Sequence, residues 1–501
     1  MKMKNTKIII FILAVFGLSS CEKFLEENPT GSLTPESNVT SPEIARAFAN
    51  SAYSELTTLD EGSGGYGGNT ASLMEFMTGK ADGNAQSEAF RFHDLTYDAA
   101  SFYIDTWWQG MYYGIANCNL AIQKISEITT LDDATKTNML AEVHTLRALY
   151  YFYLVRMYGD VPKITTVVDK LDSVRPARSP VKEIYDEIII PDLLLAEQST
   201  LPWQDNTGMV SMSAVKSLLA DVYLTYAGYP VQAGDQYYAE SAKRSKEVID
   251  NGGFSLFPQY TDMINPDNKN KGEFIWQVQF AAGIQDNDLT AKSLPQYHDI
   301  AVYSDEFGGL APTSQFVKSY PTGDKRTQER QFFYTKWPKN GTTTDTVLLG
   351  GYYIFKFFDK EAVTSTAHSD LNYTIYRLAD VMLMYAEASN RAEGGPNADA
   401  VAYVNAIRAR ALLPPVEGTM TQDEFEKEVW TERYLELCYE GKMWFDMLRT
   451  RKVRNDITHN FDNFVGHTTI YGKTFTEDQL LFPIPLREID NNTNLTQNPG
   501  F

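Results

Sequence analysis

The sequence predicts a mainly α fold. Apolar residues recur at helical spacing through most of the chain, and residues 134–158 carry two apolar stripes instead of one. Val143 and Tyr150 belong to the first stripe, and Ala141 and Ala148 belong to the second. A helix that is apolar on two sides packs against neighbours on both sides, as it does in stacked helical pairs.

Helical periodicity begins near residue 41 and predicts further helices at residues 107–128, 179–197, 213–229, 237–251, 376–391, 397–412 and 424–450. In two of the predicted helices a small residue stands three positions before an aromatic one, as Ala148 before Tyr151 and Ala220 before Tyr223. This spacing is typical of the first helix of a tetratricopeptide hairpin, although any helical bundle also favours small residues at its contacts. The sequence therefore predicts a tetratricopeptide-like superhelix of helical pairs.

Residues 253–375 have a different composition from the helical parts. They are rich in Asn, Asp, Gly and Pro, and only short pieces such as residues 273–280 and 352–358 have the character of strands. Long irregular segments within a helical scaffold are usually functional. We expect one domain over residues 41–501, with helical parts at about 41–252 and 376–501 and a ligand-binding region of loops and short strands on top.

The N-terminus has the layout of a bacterial lipoprotein signal. Three lysines precede the apolar residues 8–18, and Leu18-Ser19-Ser20-Cys21 resembles a lipobox. The apolar run is too short to span a bilayer, which takes about 20 residues. We predict a signal peptide at residues 1–20, lipidation of Cys21 and a polar tether over residues 21–40. The alternative is an ordinary signal peptide that is cleaved nearby.

Composition limits the partners and the redox chemistry. The formal net charge of the full chain is -21, which argues against nucleic acid and against an anionic membrane surface, because both are bound through Lys and Arg patches. Apart from Cys21, only Cys118 and Cys438 are present. Both fall in predicted helices, so we expect two buried free thiols and no disulfide.

A search for catalytic and metal-binding motifs finds none of the familiar patterns. The six histidines show no ligand spacing, so we predict no metal site and no cofactor. Asp286-Asn287-Asp288 could begin a calcium loop, but it lacks the Gly and the distal Glu of an EF-hand. A series of acids at four-residue spacing, Glu432, Glu436 and Glu440, is interpreted as ion-pairing with nearby arginines, with an acidic active site as the alternative.

Several motifs, in order along the chain, resemble those of one family. They are Trp108-x-x-x-Tyr112-x-x-Ile115-x-x-x-Asn119, Arg147-Ala148-x-x-Tyr151-Phe152, Tyr158-Gly159-Asp160-Val161-Pro162, Arg377-Leu378-Ala379-Asp380, Glu432-Arg433-x-x-Glu436-Leu437, Gly441-x-x-Trp444-Phe445-Asp446 and Gln497-Asn498-Pro499-Gly500-Phe501. With these motifs the chain resembles the SusD/RagB family of outer-membrane lipoproteins. The resemblance covers essentially all of residues 21–501, and it is weakest in residues 253–375.

The resemblance implies a non-catalytic lipoprotein that is anchored to the outer membrane and faces the cell exterior. Such a protein captures oligosaccharide or polysaccharide, starch for example, and passes it to a SusC-like TonB-dependent transporter. Three alternatives remain: the same architecture binding peptides, as in RagB; a helical polysaccharide-degrading enzyme; and a scaffold that binds only protein. The sequence does not distinguish the sugar ligand from the peptide ligand.

Candidate ligand-binding residues come mainly from the irregular segments. Flat aromatic rings stack on the C–H faces of sugars, and flanking polar groups bind the hydroxyls. The seven candidates are Asp82, Asn84, Trp107, Trp276, Tyr297, Tyr303 and Trp337. Core packing is the competing interpretation for each aromatic residue, above all for Trp276, whose neighbours along the predicted strand are apolar.

Overall fold

The fold is built from α-helices, as the periodicity predicts. The computed structural model describes residues 41–59, 70–83, 90–168, 175–340, 342 and 344–501. The helices of the N-terminal half are α1 Pro42–Ser51, α2 Thr70–Met77, α3 Phe90–His93, α4 Phe102–Glu127, α5 Asp133–Tyr158, α6 Val181–Ile184, α7 Ile190–Ala196, α8 Met212–Ala227 and α9 Gln236–Asn251. A π-helical turn, Tyr185–Ile189, joins α6 to α7.

The remaining helices are short in the irregular region and longer after it. They are α10 Leu289–Ser293, α11 Ser314–Lys318, α12 Leu378–Glu393, α13 Ala398–Arg410, α14 Gln422–Glu436, α15 Met443–Thr450 and α16 Leu486–Asn491. Among the described residues, no helix is both long and apolar enough to cross a membrane. Side-chain caps fix where the long helices begin: Asp132 accepts from the Thr135 amide at 2.9 Å, and Ser211 accepts from the Ala214 amide at 3.2 Å.

Helices that follow one another pack as pairs. The pairs are α4 with α5, α8 with α9 and α12 with α13, and α9 also packs on α12 to join two pairs. The prediction of a two-sided helix over residues 134–158 is confirmed: α5 contacts α4 and also α7, and Val143, Tyr150, Ala141 and Ala148 are all buried. The result is the predicted mainly α, tetratricopeptide-like stack of helical pairs.

Ten short strands form five two-stranded antiparallel sheets in the described residues. The pairs are β1 Ala81–Asp82 with β5 Ala311–Pro312, β2 Val161–Pro162 with β3 Arg178–Ser179, β4 Phe274–Val278 with β8 Tyr373–Arg377, β6 Phe333–Pro338 with β7 Thr346–Ile354, and β9 Lys452–Arg454 with β10 Phe461–Asn463. The β1–β5 pair brings residues 81–82 from the first half of the chain to the irregular region.

Two strand predictions need correction. The segment 273–280 alternates in sequence, but every residue of β4 is buried, because β4 pairs with β8 and also contacts α8. The strand predicted at residues 352–358 corresponds to β7. It begins at Thr346, six residues before the predicted start, and ends at Ile354. In addition, β8 occupies Tyr373–Arg377, where the predicted helix begins at residue 376.

The prediction of one helix over residues 424–450 is wrong. The segment divides into α14 and α15, and the turn between them places Tyr439 at φ 63° and Gly441 at φ 67°. The Lys356 ammonium stabilises the break, since it donates to the carbonyls of Glu436 at 3.1 Å and of Cys438 at 3.0 Å. Gly441 is required here, because a Cβ would lie 2.7 Å from the Tyr373 hydroxyl. As predicted, Cys118 and Cys438 are buried and free.

Candidate functional site

The structure buries all three candidate tryptophans, which corrects their assignment to a binding surface. Trp107 on α4 is 1% exposed, and its ring lies 6.1 Å from that of Phe92 and 5.5 Å from that of Phe482. Trp276 on β4 is also 1% exposed. Both rings are part of the core, where apolar burial stabilises the fold, and a ligand has no access to them.

Trp337 on β6 is buried within the irregular region. Its ring lies 4.3 Å from the Phe358 ring and 6.3 Å from the Tyr334 ring, and the Arg330 guanidinium sits 4.5 Å above it. With Phe355 and other apolar side chains these residues form a small core beneath the loops. Trp337 therefore supports the surface from below and is not itself displayed.

The two candidate tyrosines are exposed, as a binding role requires. Tyr297 is 89% exposed and Tyr303 is 59% exposed. Both belong to residues 296–306, which we call the tyrosine loop. Tyr297 and Asp299 take φ angles of 59° and 58°, which residues other than glycine rarely adopt. Such strain persists only where the surroundings fix the backbone, and it is often found at functional sites.

A single carboxylate fixes the tyrosine loop. The two oxygens of Glu306 accept from four consecutive backbone amides: those of His298 at 2.6 Å, Asp299 at 3.1 Å, Ile300 at 2.6 Å and Ala301 at 2.9 Å. Hydrogen bonds to an ionised acceptor are stronger than neutral ones. The loop is therefore preorganised, and its aromatic side chains are presented at defined positions.

Backbone contacts add to this support from outside the loop. The Val302 amide donates to the Val363 carbonyl at 2.8 Å, and the Asn340 amide donates to the Asp299 carbonyl at 2.7 Å. The Asn340 side chain also donates to the Ala301 carbonyl at 2.8 Å. The loop is thus held by the residues after β6 and by the π-helical turn Ala362–Thr366.

Asp82 lies on an exposed edge close to two further tyrosines. Its carboxylate accepts from the Gly83 amide at 2.8 Å. Burial, followed by the Asp82 carboxylate, raises the pKa of Tyr353 and of Tyr471. The Tyr471 hydroxyl also donates to the Ala81 carbonyl at 3.3 Å. Asn84, the other polar candidate, lies outside the described residues.

The Asp82 edge and the tyrosine loop adjoin each other. Gly83 lies so close to the segment that follows the loop that a Cβ would lie 2.5 Å from the Gly309 carbonyl. On the loop side, the His298 ring lies 6.2 Å from the Tyr353 ring. We therefore define the candidate surface as one set of side chains from four parts of the chain: Asp82, Tyr297, His298, Tyr303, Tyr353 and Tyr471.

Sequence reasoning missed three members of the candidate surface. Tyr353 lies in an aromatic segment that predicts a strand, and His298 lies beside a candidate, but neither position carries a signal for ligand binding. Tyr471 lies more than a hundred residues further on, next to Gly472. Only the long-range pairing of β1 with β5 and the packing around it bring these residues together.

The acids of the C-terminal helices form a buried ion network. Arg326 lies 2.7 Å from Asp324, 3.1 Å from Glu432 and 3.2 Å from Glu436, and all four side chains are completely buried. Burial alone favours the neutral acid, but Arg410, Arg377 and Arg326 outweigh it and lower the pKa of Glu436 to about 2.

Glu440 completes this network from the turn after α14. It pairs with Arg377 at 2.8 Å and also with Lys356. The ion-pairing interpretation of Glu432, Glu436 and Glu440 is thus confirmed, and the first two carboxylates are completely buried.

The acids of the weak calcium candidate have protein partners. Asp286 pairs with His368 at 2.6 Å, and Asp288 pairs with Lys292 at 3.2 Å. The Asn287 side-chain amide donates to the Leu371 carbonyl at 3.0 Å. Within the part of the chain that the structure describes, no group of three or more His, Cys, Asp or Glu residues could hold a metal ion.

Comparison with protein-family models gives two matches. One model, described as the SusD family, matches residues 340–501. The other, described as "Starch-binding associating with outer membrane", matches residues 23–224. The two matches lie at opposite ends of the chain, and the tyrosine loop falls between them.

The fold and the site together define a class of protein: a tetratricopeptide-like helical scaffold that carries a preorganised loop surface with exposed aromatic rings. The chain is 53% identical to a solved SusD superfamily protein from Parabacteroides distasonis ATCC 8503, over 92% of this chain and 100% of that one, with a TM-score of 0.90. The chain belongs to the SusD/RagB family.

More distant relatives extend over most of the chain. The chain is 25% identical to a SusD-like protein of Formosa agariphila, over 99% of this chain and 98% of the relative. It is 23% identical to the starch-binding protein SusD of Bacteroides thetaiotaomicron, over 78% of this chain and 77% of the relative.

Proposed function

We propose that this chain is a non-catalytic glycan-binding protein of the cell surface, and that it captures oligosaccharide or polysaccharide at the candidate surface. The observation that carries the proposal is Tyr297, an aromatic ring that is 89% exposed on a loop that Glu306 fixes. A ring that is already held in place can stack on a ligand without the cost of ordering a loop, which supports a binding role. The starch-binding description of one family model and of one relative supports a carbohydrate.

The chemistry of the candidate surface suits a sugar. The Tyr297 ring offers a flat face for the C–H side of a pyranose, and Tyr303 offers a second ring on the same loop. The Asp82 carboxylate accepts hydrogen bonds from sugar hydroxyls, and the Tyr471 hydroxyl, which donates its proton to the Ala81 carbonyl, can accept a further one. Binding through several weak contacts of this kind requires no reactive group.

The Glu306 carboxylate has a structural role in the tyrosine loop, which favours binding over hydrolysis. Glycoside hydrolysis uses a pair of acids on either side of the scissile bond. Glu306 is one of three acids in the tyrosine loop, with Asp299 and Asp305, and it uses both of its oxygens to hold backbone amides. Its role is to position the loop, and we propose that the chain releases its ligand unchanged.

We also propose a location and a partner. Cys21 would carry the lipid that anchors the chain to the outer membrane with its body facing the cell exterior, and the captured glycan would pass to a SusC-like TonB-dependent transporter. Family membership supports both statements, and so does the description of one family model as associating with the outer membrane. The tether over residues 21–40 would give the body reach above the membrane.

Calorimetry on the purified full chain in detergent tests the proposed function. The chain would be titrated with a panel of polysaccharides, oligosaccharides and peptides, and the mixtures would be analysed for shortened products. We expect saturable binding of a carbohydrate with no product. Tyr297→Ala should weaken that binding at least about tenfold, since an aromatic anchor is lost. The matched control is Tyr113→Ala, because Tyr113 is also an exposed tyrosine, 59% exposed on α4, but lies outside the candidate surface. This variant should bind the carbohydrate with unchanged affinity.

Other outcomes would contradict the proposal in different ways. Binding of peptides alone, lost in Tyr297→Ala, would make the same surface a peptide site of the RagB type. Shortened products that depend on one Asp or Glu would establish an enzyme. If Tyr297→Ala and Tyr113→Ala change the affinity equally, the candidate surface is not the binding site.

A further inference from the structure

A cavity with a volume of about 550 Å³ lies away from the candidate surface. It is enclosed by the C-terminal ends of α5 and α8, by α15 and by the last residues of the chain, and the tyrosine loop takes no part in it. Ligand-binding cavities in proteins commonly have volumes of about 300–1,000 Å³. The cavity is therefore large enough for a sugar or another ring-sized molecule.

The walls combine apolar surface with an aromatic ring. Leu448, Leu480 and Leu481 contribute aliphatic side chains, and Phe445 adds a ring from α15. Tyr229, at the end of α8, also lines the cavity and is 40% exposed. This lining would bind the body of a small organic molecule.

Four arginines reach the same cavity, in a chain whose net charge is -21. Arg449 is neutralised, because it lies 2.5 Å from Glu387 and 2.8 Å from Asp446. Arg156 lies 4.0 Å from Asp221 and donates to the Phe152 carbonyl at 3.1 Å.

Arg178 and Arg451 have a different environment. Arg178 donates only to oxygens of neutral groups, such as the carbonyls of Asp160 and Thr496, both at 2.7 Å. Arg451 lies 5.0 Å above the Tyr229 ring. Its side chain has neither an ion pair nor a hydrogen bond with any residue that the structure describes. Burial lowers the pKa of both arginines, and nearby acids offset this only in part.

The rim also carries acids that limit which anions can enter. Asp160 is held by the Val181 amide at 2.8 Å, and Asp478 accepts from the Thr476 hydroxyl at 3.2 Å. Glu477 lies near Arg451 and stabilises its charge at longer range. A ligand with a single negative group can approach Arg451 past these acids, whereas a highly charged polyanion would be repelled.

We propose that this cavity is a second binding site, for a small organic anion whose carboxylate pairs with the Arg451 guanidinium and whose ring or aliphatic body lies against Tyr229 and the leucines. A guanidinium without a partner is the group that binds a carboxylate best, since two of its N–H groups match the two oxygens. The site is independent of the candidate surface and goes beyond the proposed function.

Calorimetry on the full chain in detergent tests the second site with three probes at fixed ionic strength: sodium glucuronate, sodium sulfate and glucose. We expect glucuronate to bind saturably, and Arg451→Asn to weaken this binding at least about tenfold. Asparagine is chosen because Arg451 has φ 56° and Asn tolerates that backbone. The matched control is Arg487→Asn, because Arg487 is 50% exposed and outside the cavity; its affinity should be unchanged.

A second variant keeps the test independent of the arginine. Leu480→Trp would fill part of the cavity and should also weaken glucuronate binding, whereas Tyr297→Ala should leave it unchanged. The proposal is overturned if glucuronate does not bind the unaltered chain, if sulfate binds as tightly as glucuronate, or if Tyr297→Ala removes the binding. Glucuronate binding that survives both Arg451→Asn and Leu480→Trp in correctly folded protein would overturn it as well.

Discussion

At the scale of single residues, the display of Tyr297 depends on Glu306. Four backbone amides converge on this carboxylate, and these bonds compensate for the strained backbone of the loop. A ligand that binds a disordered loop must also supply the free energy to order it, so affinity falls when the Glu306 carboxylate is removed.

We predict that Glu306→Ala weakens glycan binding about tenfold while the melting temperature of the whole chain changes little. Hydrogen exchange should speed up at the amides of residues 298–301, and calorimetry should report the affinity. Glu361→Ala is a suitable control because Glu361 is exposed on the neighbouring segment. Unchanged exchange at these amides would show that other contacts hold the loop.

Glu75 is a buried acid whose pairing is incomplete. One oxygen accepts from the Gly441 amide at 3.1 Å, and the other has no hydrogen-bond partner among the described residues. Burial, with a contribution from Glu440, raises the pKa of Glu75 from 4.5 to about 8. The folded chain therefore retains a proton that the unfolded chain loses between these pH values, so stability falls as pH rises through this window.

We predict that Glu75→Gln removes this part of the pH dependence. Between pH 4.5 and about 8, the free energy of unfolding should fall less steeply in the variant, by up to about 1.4 kcal/mol per pH unit. Urea unfolding at a series of pH values measures the slope. Equal slopes of the free energy of unfolding against pH in the variant and the unaltered chain would contradict the raised pKa of Glu75. The control is Glu361→Gln, which changes an exposed glutamate and should leave the slope unchanged.

Residue-level prediction from sequence succeeded where exposure follows from local composition. Tyr297 and Tyr303 lie in a polar, irregular segment and are exposed. Trp107, Trp276 and Trp337 are candidates as flat rings that could stack on a sugar, but all three are buried, because packing between distant segments decides whether a large ring is covered. No local pattern distinguishes a tryptophan of this kind from one that binds sugar.

At the scale of elements, the turn between α14 and α15 sets the position of the buried ion network. Glu436 ends α14 and Glu440 follows within the turn, so both carboxylates can reach Arg377, at 2.9 Å and 2.8 Å. A continuous helix would carry Glu440 elsewhere. Gly441 makes this turn possible through its left-handed backbone and its contact with Tyr373.

We predict that Gly441→Ala destabilises the chain by about 2 kcal/mol or more, because the left-handed backbone costs about 1–2 kcal/mol for a residue with a Cβ and the new methyl group meets the Tyr373 hydroxyl. Urea unfolding measures the difference. Gly395→Ala is the matched control, since a Cβ there meets nothing within 4 Å. Equal stabilities of the two variants would contradict the role given to Gly441.

The sequence predicts a helix correctly where the helical periodicity matches an unbroken helix. It does not predict a helix break that is stabilised by a side chain from a distant segment. The two-sided pattern in residues 134–158 correctly indicated α5. The break after Glu436 depends on Lys356, which comes from the irregular region some eighty residues earlier. The periodic pattern over residues 424–450 continues through the break, so the sequence alone predicts a single helix.

At the scale of the whole molecule, the ion network connects the irregular region to the C-terminal helices. Arg377 on β8 lies 2.9 Å from Glu273, which precedes β4, and 2.9 Å from Glu436 on α14. Removal of one partner from a buried network leaves an uncompensated charge, which is strongly unfavourable. The network therefore joins the strand pair β4–β8 to α14.

The lipid anchor is the other property of the whole chain that can be tested. We predict that Cys21→Ala leaves the fold intact and releases the protein from the outer membrane, because the thiol that would be acylated is gone. Cell fractionation followed by a high-salt wash measures the distribution. Cys118→Ala controls for loss of a thiol elsewhere and should remain in the membrane fraction. Retention of Cys21→Ala in the washed membranes would contradict the anchor.

We propose that the candidate surface binds a glycan through Tyr297 and Asp82. The most direct test is a crystal structure of the chain with the oligosaccharide that binds most tightly in the calorimetric panel. We expect a sugar ring stacked on Tyr297 and a sugar hydroxyl within hydrogen-bond distance of the Asp82 carboxylate. An oligosaccharide bound elsewhere, with no contact to the tyrosine loop, would show that the candidate surface is not the glycan-binding site.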